Sequence, residues 1–182
     1  EWTEAEMISS DGKLIAYVPH QPPAGKVEYY VTLTDGDKTV KLTDEPVIIR
    51  FKGDVPAFVL IPHIILMFLA MMFSARTGIE AIVKGSRTFK YALYTTVFLI
   101  VGGLILGPVV QKYAFGAYWT GWPLGTDLTD NKTAVSVIFW LIAIYALWKN
   151  RANRIWPIIA AIVLLMIYLI PHSMRGSEID HT

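Results

Sequence analysis

The sequence contains no cysteine. That removes disulfides, iron–sulfur clusters and thiol catalysis, but it names no compartment, since many exported domains also lack the residue. Charge is scarce too: 17% of residues are charged, where a soluble domain carries about a quarter. The net charge of +1 comes without a concentrated basic face, so nucleic acid is not an expected partner. No P-loop, G-x-S-x-G or H-E-x-x-H motif occurs, and Ser173 beside His172 is too local for a triad. Nothing here commits the chain to being an enzyme.

Apolar surface is what the sequence has in excess. Hydrophobic residues make up 54% of the chain, and the mean hydropathy is +0.45. Asp, Glu and Lys are frequent in residues 1–54, whereas long apolar runs follow. Two solvents are implied, water first and lipid later. Glu1 is neither an initiator Met nor the start of a signal sequence, so upstream residues that include an export signal are expected.

Residues 1–54 read as an extracytoplasmic β-domain. In 26–34, Val27, Tyr29, Val31 and Leu33 alternate with Glu28, Tyr30, Thr32 and Thr34, the period of a half-buried strand. Asp35-Gly36 is a hairpin signal. Further strands are expected over 14–18, 38–42 and 47–51, with Pro22 and Pro23 breaking the chain between strands. The segment AYVPHQPPAGKVEYYVTLTDGD, within residues 14–52, resembles half of a bacterial immunoglobulin-like or fibronectin type III-like sandwich. A full sandwich has roughly seven strands in about 100 residues, so the resemblance implies a truncated domain or a minimal sheet lying against a partner.

From Val55 the pattern changes. Apolar runs cover 56–75, 91–111, 134–149 and 156–171, and about twenty helical residues cross a bilayer. Residues 55–182 therefore read as a four-helix transmembrane bundle, and the whole chain as an α+β membrane protein. The third and fourth runs are short, but Trp140, Trp148, Trp156 and Tyr168 suit interfacial anchoring. Too little polar sequence remains to cover such a bundle in water. Arg76, Lys84, Arg87 and Lys90 follow the first run, and Lys149, Arg151 and Arg154 follow the third. Positive loops stay in the cytoplasm. The expected site is a bacterial inner membrane, multi-pass, with both termini, the β-domain and the 112–133 loop outside. All four histidines then fall on the outer side. Glu80 is placed in a cytoplasmic loop.

His63 and His172 each follow a proline, in or beside an apolar run. An ionisable side chain in a span is a functional candidate, and neutral imidazole ligates haem iron, zinc or copper. Two such rings on facing helices would clamp a haem b as axial metal ligands, although helical rise places His63 about 10 Å deeper than His172. The plainer account is that each ring bonds a backbone carbonyl freed by its proline, or sits among the headgroups as a polar anchor. The outer loop 113–133 adds Tyr118, Trp119 and Trp122, whose faces can stack on a planar ligand. Asp127, Asp130 and Arg175 are candidate polar groups. An aromatic belt, with Asp130 or Thr129 as helix cap, explains the same loop.

The stretch AYWTGWPLGTDLTDNKT…FWLIAIY, within 113–145, is similar to the tryptophan-rich haem-handling loop of cytochrome c assembly proteins. Their loop is extracytoplasmic and flanked by histidines, as His63 and His172 flank it here. Spacing departs from that pattern: Asp127 is far from Trp122, and the Thr133-to-Trp140 interval differs. Gly103-x-x-x-Gly107 permits close helix packing, and Gly107-Pro108 a kink. Asn131-Lys132-Thr133 fits a glycosylation sequon, informative only in a eukaryotic secretory setting. Three functions stay open: haem-binding or redox work at the outer face, a non-enzymatic accessory subunit docking membrane or periplasmic partners, or a binder of a quinone or lipid-like molecule.

Overall fold

The computed structural model describes residues 2–36 and 38–170. The chain is α+β, with strands first and four helical columns after them. It divides into two compact units at Gly53–Asp54.

The first unit contains three antiparallel pairs. β1 (Ile8–Ser10) and β2 (Lys13–Ile15) form a hairpin. Its turn, Asp11-Gly12, has φ of 51° and 73°, the left-handed pair that a two-residue hairpin needs. β3 (Lys26–Tyr29) pairs with β6 (Val47–Arg50), while β4 (Thr32–Asp35) pairs with β5 (Lys38–Lys41). The stretch that reads as one strand over 26–34 thus changes partner at Tyr30–Val31. Alternation survives in part: Val27, Tyr29 and Val31 are half-buried, but Leu33 is exposed. Burial is thin throughout this unit. Among its described residues only Ala24 and Gly25 are buried.

In the second unit α1 (Ala57–Ile82) runs 26 residues, about 39 Å at 1.5 Å per residue. The second column joins α2 (Thr88–Phe98), a π-helical stretch over Leu99–Leu106, and α3 (Gly107–Phe115). α4 (Leu128–Lys149) and α5 (Ile155–Leu169) complete the bundle. The first three columns are long and apolar enough to cross a membrane, and α5 is a shorter apolar helix. Only 17% of the most apolar window of α1 is buried. Phe58, Ile61, Ile65 and Met72 are exposed, as residues on a lipid-facing surface are.

Small residues let the helices approach. A Cβ on Gly78 would stand 2.9 Å from Ala161 Cβ, one on Gly102 2.9 Å from Leu66 Cβ, and one on Gly103 2.8 Å from Thr133 Cγ2. Small contact residues are how membrane helices pack, because lipid supplies no hydrophobic drive between them. Around Ala70, Ala92, Ala143 and Ala160 the core closes on Leu99, Leu164 and Trp140. Trp140 is fully buried, so it is a core residue and not an interfacial anchor; Trp148 is exposed at the surface.

The second column runs over Thr88–Phe115 where 91–111 is expected, and two other element ends differ more, for one reason: polar helical turns escape a hydropathy criterion. α1 continues past residue 75 and carries Glu80 within the helix, buried and paired with Arg76 at 2.7 Å. The Glu80 carboxylate also accepts from Arg87 N at 3.1 Å. Gly85 lies against that carboxylate, which leaves no room for a side chain there. α4 starts at Leu128, not 134, capped by Asp127, which accepts from Thr129 N at 2.7 Å and Asp130 N at 3.1 Å. At the end of the bundle away from this cap, Arg154 donates to Gly85 O at 3.0 Å and Thr88 Oγ1 at 2.6 Å. The turns 83–87 and 150–154 are thereby joined.

Candidate functional site

The second column bonds irregularly where it meets α1. Gly107 N donates to Gly102 O, a five-residue step characteristic of a π turn, and Pro108 has no N–H to give. The Gly102 carbonyl also accepts the ring hydrogen of His63 Nδ1 at 2.9 Å. Carbonyls carry two lone pairs, so both bonds are satisfied. His63 bonds a backbone carbonyl, but that carbonyl belongs to another helix and is not one freed by Pro62. With Nδ1 protonated, neutral His63 keeps Nε2 as an acceptor.

His63 lines a cavity of about 390 Å³ between α1, the second column, α4 and α5. α4 contributes Thr129, Lys132, Thr133 and Ser136. These positions, spaced i, i+3, i+4 and i+7, share one helix face over about 10 Å. α5 adds Tyr168, whose hydroxyl donates to Met67 O at 2.7 Å. Leu60, Phe68, Leu99 and Leu164 supply apolar wall. Lys132 is 7% exposed and donates to Ile170 O at 3.3 Å. A lysine buried this deeply requires partners, since burial disfavours an isolated ammonium.

Above the cavity the loop between α3 and α4 is tied from within. Asp130 Oδ2 accepts from Thr120 N at 2.6 Å, Gly121 N at 3.0 Å and Thr120 Oγ1 at 3.3 Å. Asn131 Oδ1 accepts from Trp122 N at 2.7 Å, so the sequon asparagine is engaged in the loop. Gln111 Nε2 reaches Thr120 Oγ1 at 2.6 Å. Asp127 and Asp130 therefore direct their oxygens at backbone amides. Trp119 donates to Trp122 O at 3.2 Å. Tyr118 and Trp122 are 59% and 77% exposed, and none of the three aromatics lines the cavity.

His63 is thus brought together with α4 and α5, while Tyr118, Trp119 and Trp122 are not. His172 and Arg175 lie outside the described residues. For a haem or metal, His63 fits as one ligand, because a metal-binding imidazole commonly donates its other N–H to a carbonyl. No group of three or more His, Asp or Glu stands together among the described residues. The polar stripe of α4 was not singled out in the sequence, although Thr129, Lys132, Thr133 and Ser136 recur at helical spacing. Its first three residues precede the apolar run that begins at 134, where a hydropathy criterion does not register them. Comparison with family models, curated proteins and solved structures found no match to the chain.

Proposed function

We propose that the chain is a multi-pass membrane protein that binds a small lipid-soluble molecule in the cavity between its helices, near the outer face. The observation that carries this reading is the polar stripe of α4. Four polar side chains of one helix, Lys132 among them, line a cavity whose remaining wall is His63, Tyr168, Met67 and side chains of Leu, Ile, Phe and Val. Polar groups among membrane helices are costly unless partnered, and they mark binding sites. An apolar cavity with few polar groups is also the usual form of a small-molecule site. The cationic turns 83–87 and 150–154, joined through Arg154, support an inner placement for that end. The loop 116–127 and the first unit would then lie outside.

Purification in mild detergent, followed by organic extraction and mass spectrometry, tests the reading. A stoichiometric lipid-soluble compound is expected, and it should be missing from Ser136→Phe, whose ring fills the cavity. Bulk lipid alone in the wild-type extract overturns the proposal. A Soret band that shifts with dithionite overturns it in favour of haem on His63.

A second reading, the accessory subunit, rests on the first unit. Ile8, Leu14, Tyr17, Leu33, Val40 and Leu42 are all exposed there, more apolar surface than so small a unit normally leaves open. A half-sandwich of immunoglobulin type completed by a periplasmic partner fits that surface. A chain that purifies alone, with a cooperative melt of its β-structure, removes this reading.

A further inference from the structure

The hydrogens on the cavity wall are largely committed to backbone carbonyls. His63 Nδ1–H is given to Gly102 O at 2.9 Å, and the Tyr168 hydroxyl to Met67 O at 2.7 Å. Along α4, Thr133 Oγ1 donates to Thr129 O at 3.1 Å and Ser136 Oγ to Lys132 O at 2.8 Å. Each of these groups retains acceptor capacity: Nε2 on the ring, and lone pairs on the three hydroxyl oxygens. Beyond this group, the Thr129 hydroxyl stands in the first turn of α4, and the Lys132 ammonium is engaged with Ile170 O at 3.3 Å among other contacts. A ligand carbonyl beside His63, Ser136 and Tyr168 meets acceptors and goes unpaired. A ligand hydroxyl finds what it needs.

We propose that the cavity selects its ligand by hydroxyl hydrogens, taking a phenol or hydroquinone ring in preference to the matching quinone. The inference rests on the small-molecule reading and names its chemical class. The ring packs on the apolar wall formed by Leu60, Phe68 and Leu164, and its hydroxyl donates its hydrogen to one of the acceptors on α1, α4 and α5, with Ser136 Oγ among them. Binding alone is claimed, so no electron acceptor is needed.

The test is an anaerobic titration of the purified chain in detergent with a decyl-substituted benzoquinol and, separately, its benzoquinone. The quinol should bind about tenfold more tightly, the difference made by one well-formed hydrogen bond against one buried unpaired group. Ser136→Ala removes an acceptor but no contact between helices, since its hydroxyl donates only to Lys132 O of its own helix. That variant should melt as wild type, lose quinol affinity severalfold and leave quinone affinity unchanged. Equal or tighter quinone binding overturns the inference, as does a Ser136→Ala effect of the same size on both ligands. Binding of neither overturns the inference too, and the small-molecule reading beneath it falls only if the organic extract also holds no stoichiometric compound.

Discussion

Asp130 sits in the first turn of α4 with 6% exposure, and a carboxylate so placed must find donors. It finds three, from Thr120 and Gly121. Asp130→Ala strands those donors and should cost about 3 kcal/mol, allowing for the non-additivity of neighbouring charge-assisted bonds. Asp130→Asn keeps one oxygen and should lose about 1 kcal/mol. Thermal unfolding in detergent measures both, and proteolysis within 116–126 should quicken only for the alanine variant. Equal melts for wild type and Asp130→Ala would return Asp130 to the list of ligand-binding candidates. Its residue type and place beside Asp127 were legible in the sequence. Its role was not, because the amides it binds lie nine and ten positions away and are brought to it by a loop whose path no periodicity encodes.

At the scale of elements, the apolar runs located every helix, while the helix ends and the partnering of strands stayed hidden. Hydropathy finds the buried or lipid-facing middle of a helix. Turns such as Leu128–Thr133 and Arg76–Ile82 are set instead by capping and packing. The cap that the sequence offers at Thr129 or Asp130 lies instead at Asp127, and Asp11-Gly12 is a hairpin signal of the same kind as Asp35-Gly36. The Gly103-x-x-x-Gly107 motif divides by position. A Cβ at residue 103 lands 2.8 Å from Thr133 Cγ2, on a stiff β-branched side chain, whereas one at residue 107 has nothing nearer than 3.7 Å. Gly103→Ala should therefore cost about 1–3 kcal/mol by overpacking. Gly107→Ala should leave stability unchanged or raise it by up to about 1 kcal/mol through helix propensity. Melting the two variants side by side decides the matter, and similar losses in both would mean that the second column does not meet α4 through Gly103.

For the whole molecule, topology carries the argument, because the cavity is an outer-face site only if the cationic turns lie inside. Lys84, Arg87, Arg151 and Arg154 gather at one end of the bundle, held by the Arg154 bonds to Gly85 and Thr88 and by Arg151 stacked 3.5 Å from the Phe89 ring centroid. The loop with Trp122 closes the other end. Retaining that much cation on one side is what fixes membrane orientation, and the cationic loops are legible in the sequence because short loops and charge are local properties. The cavity was not readable, since it needs faces of four columns to converge. A chain without cysteine makes the orientation directly measurable. Trp122→Cys and Lys84→Cys each introduce a single thiol at positions that are exposed in the structure, so neither disturbs packing. In spheroplasts an impermeant maleimide should label the Trp122→Cys variant at once and the Lys84→Cys variant only after the membrane is opened. The reverse pattern would place the cavity mouth in the cytoplasm, and labelling of both in sealed spheroplasts would mean that the helices do not separate these loops across a bilayer.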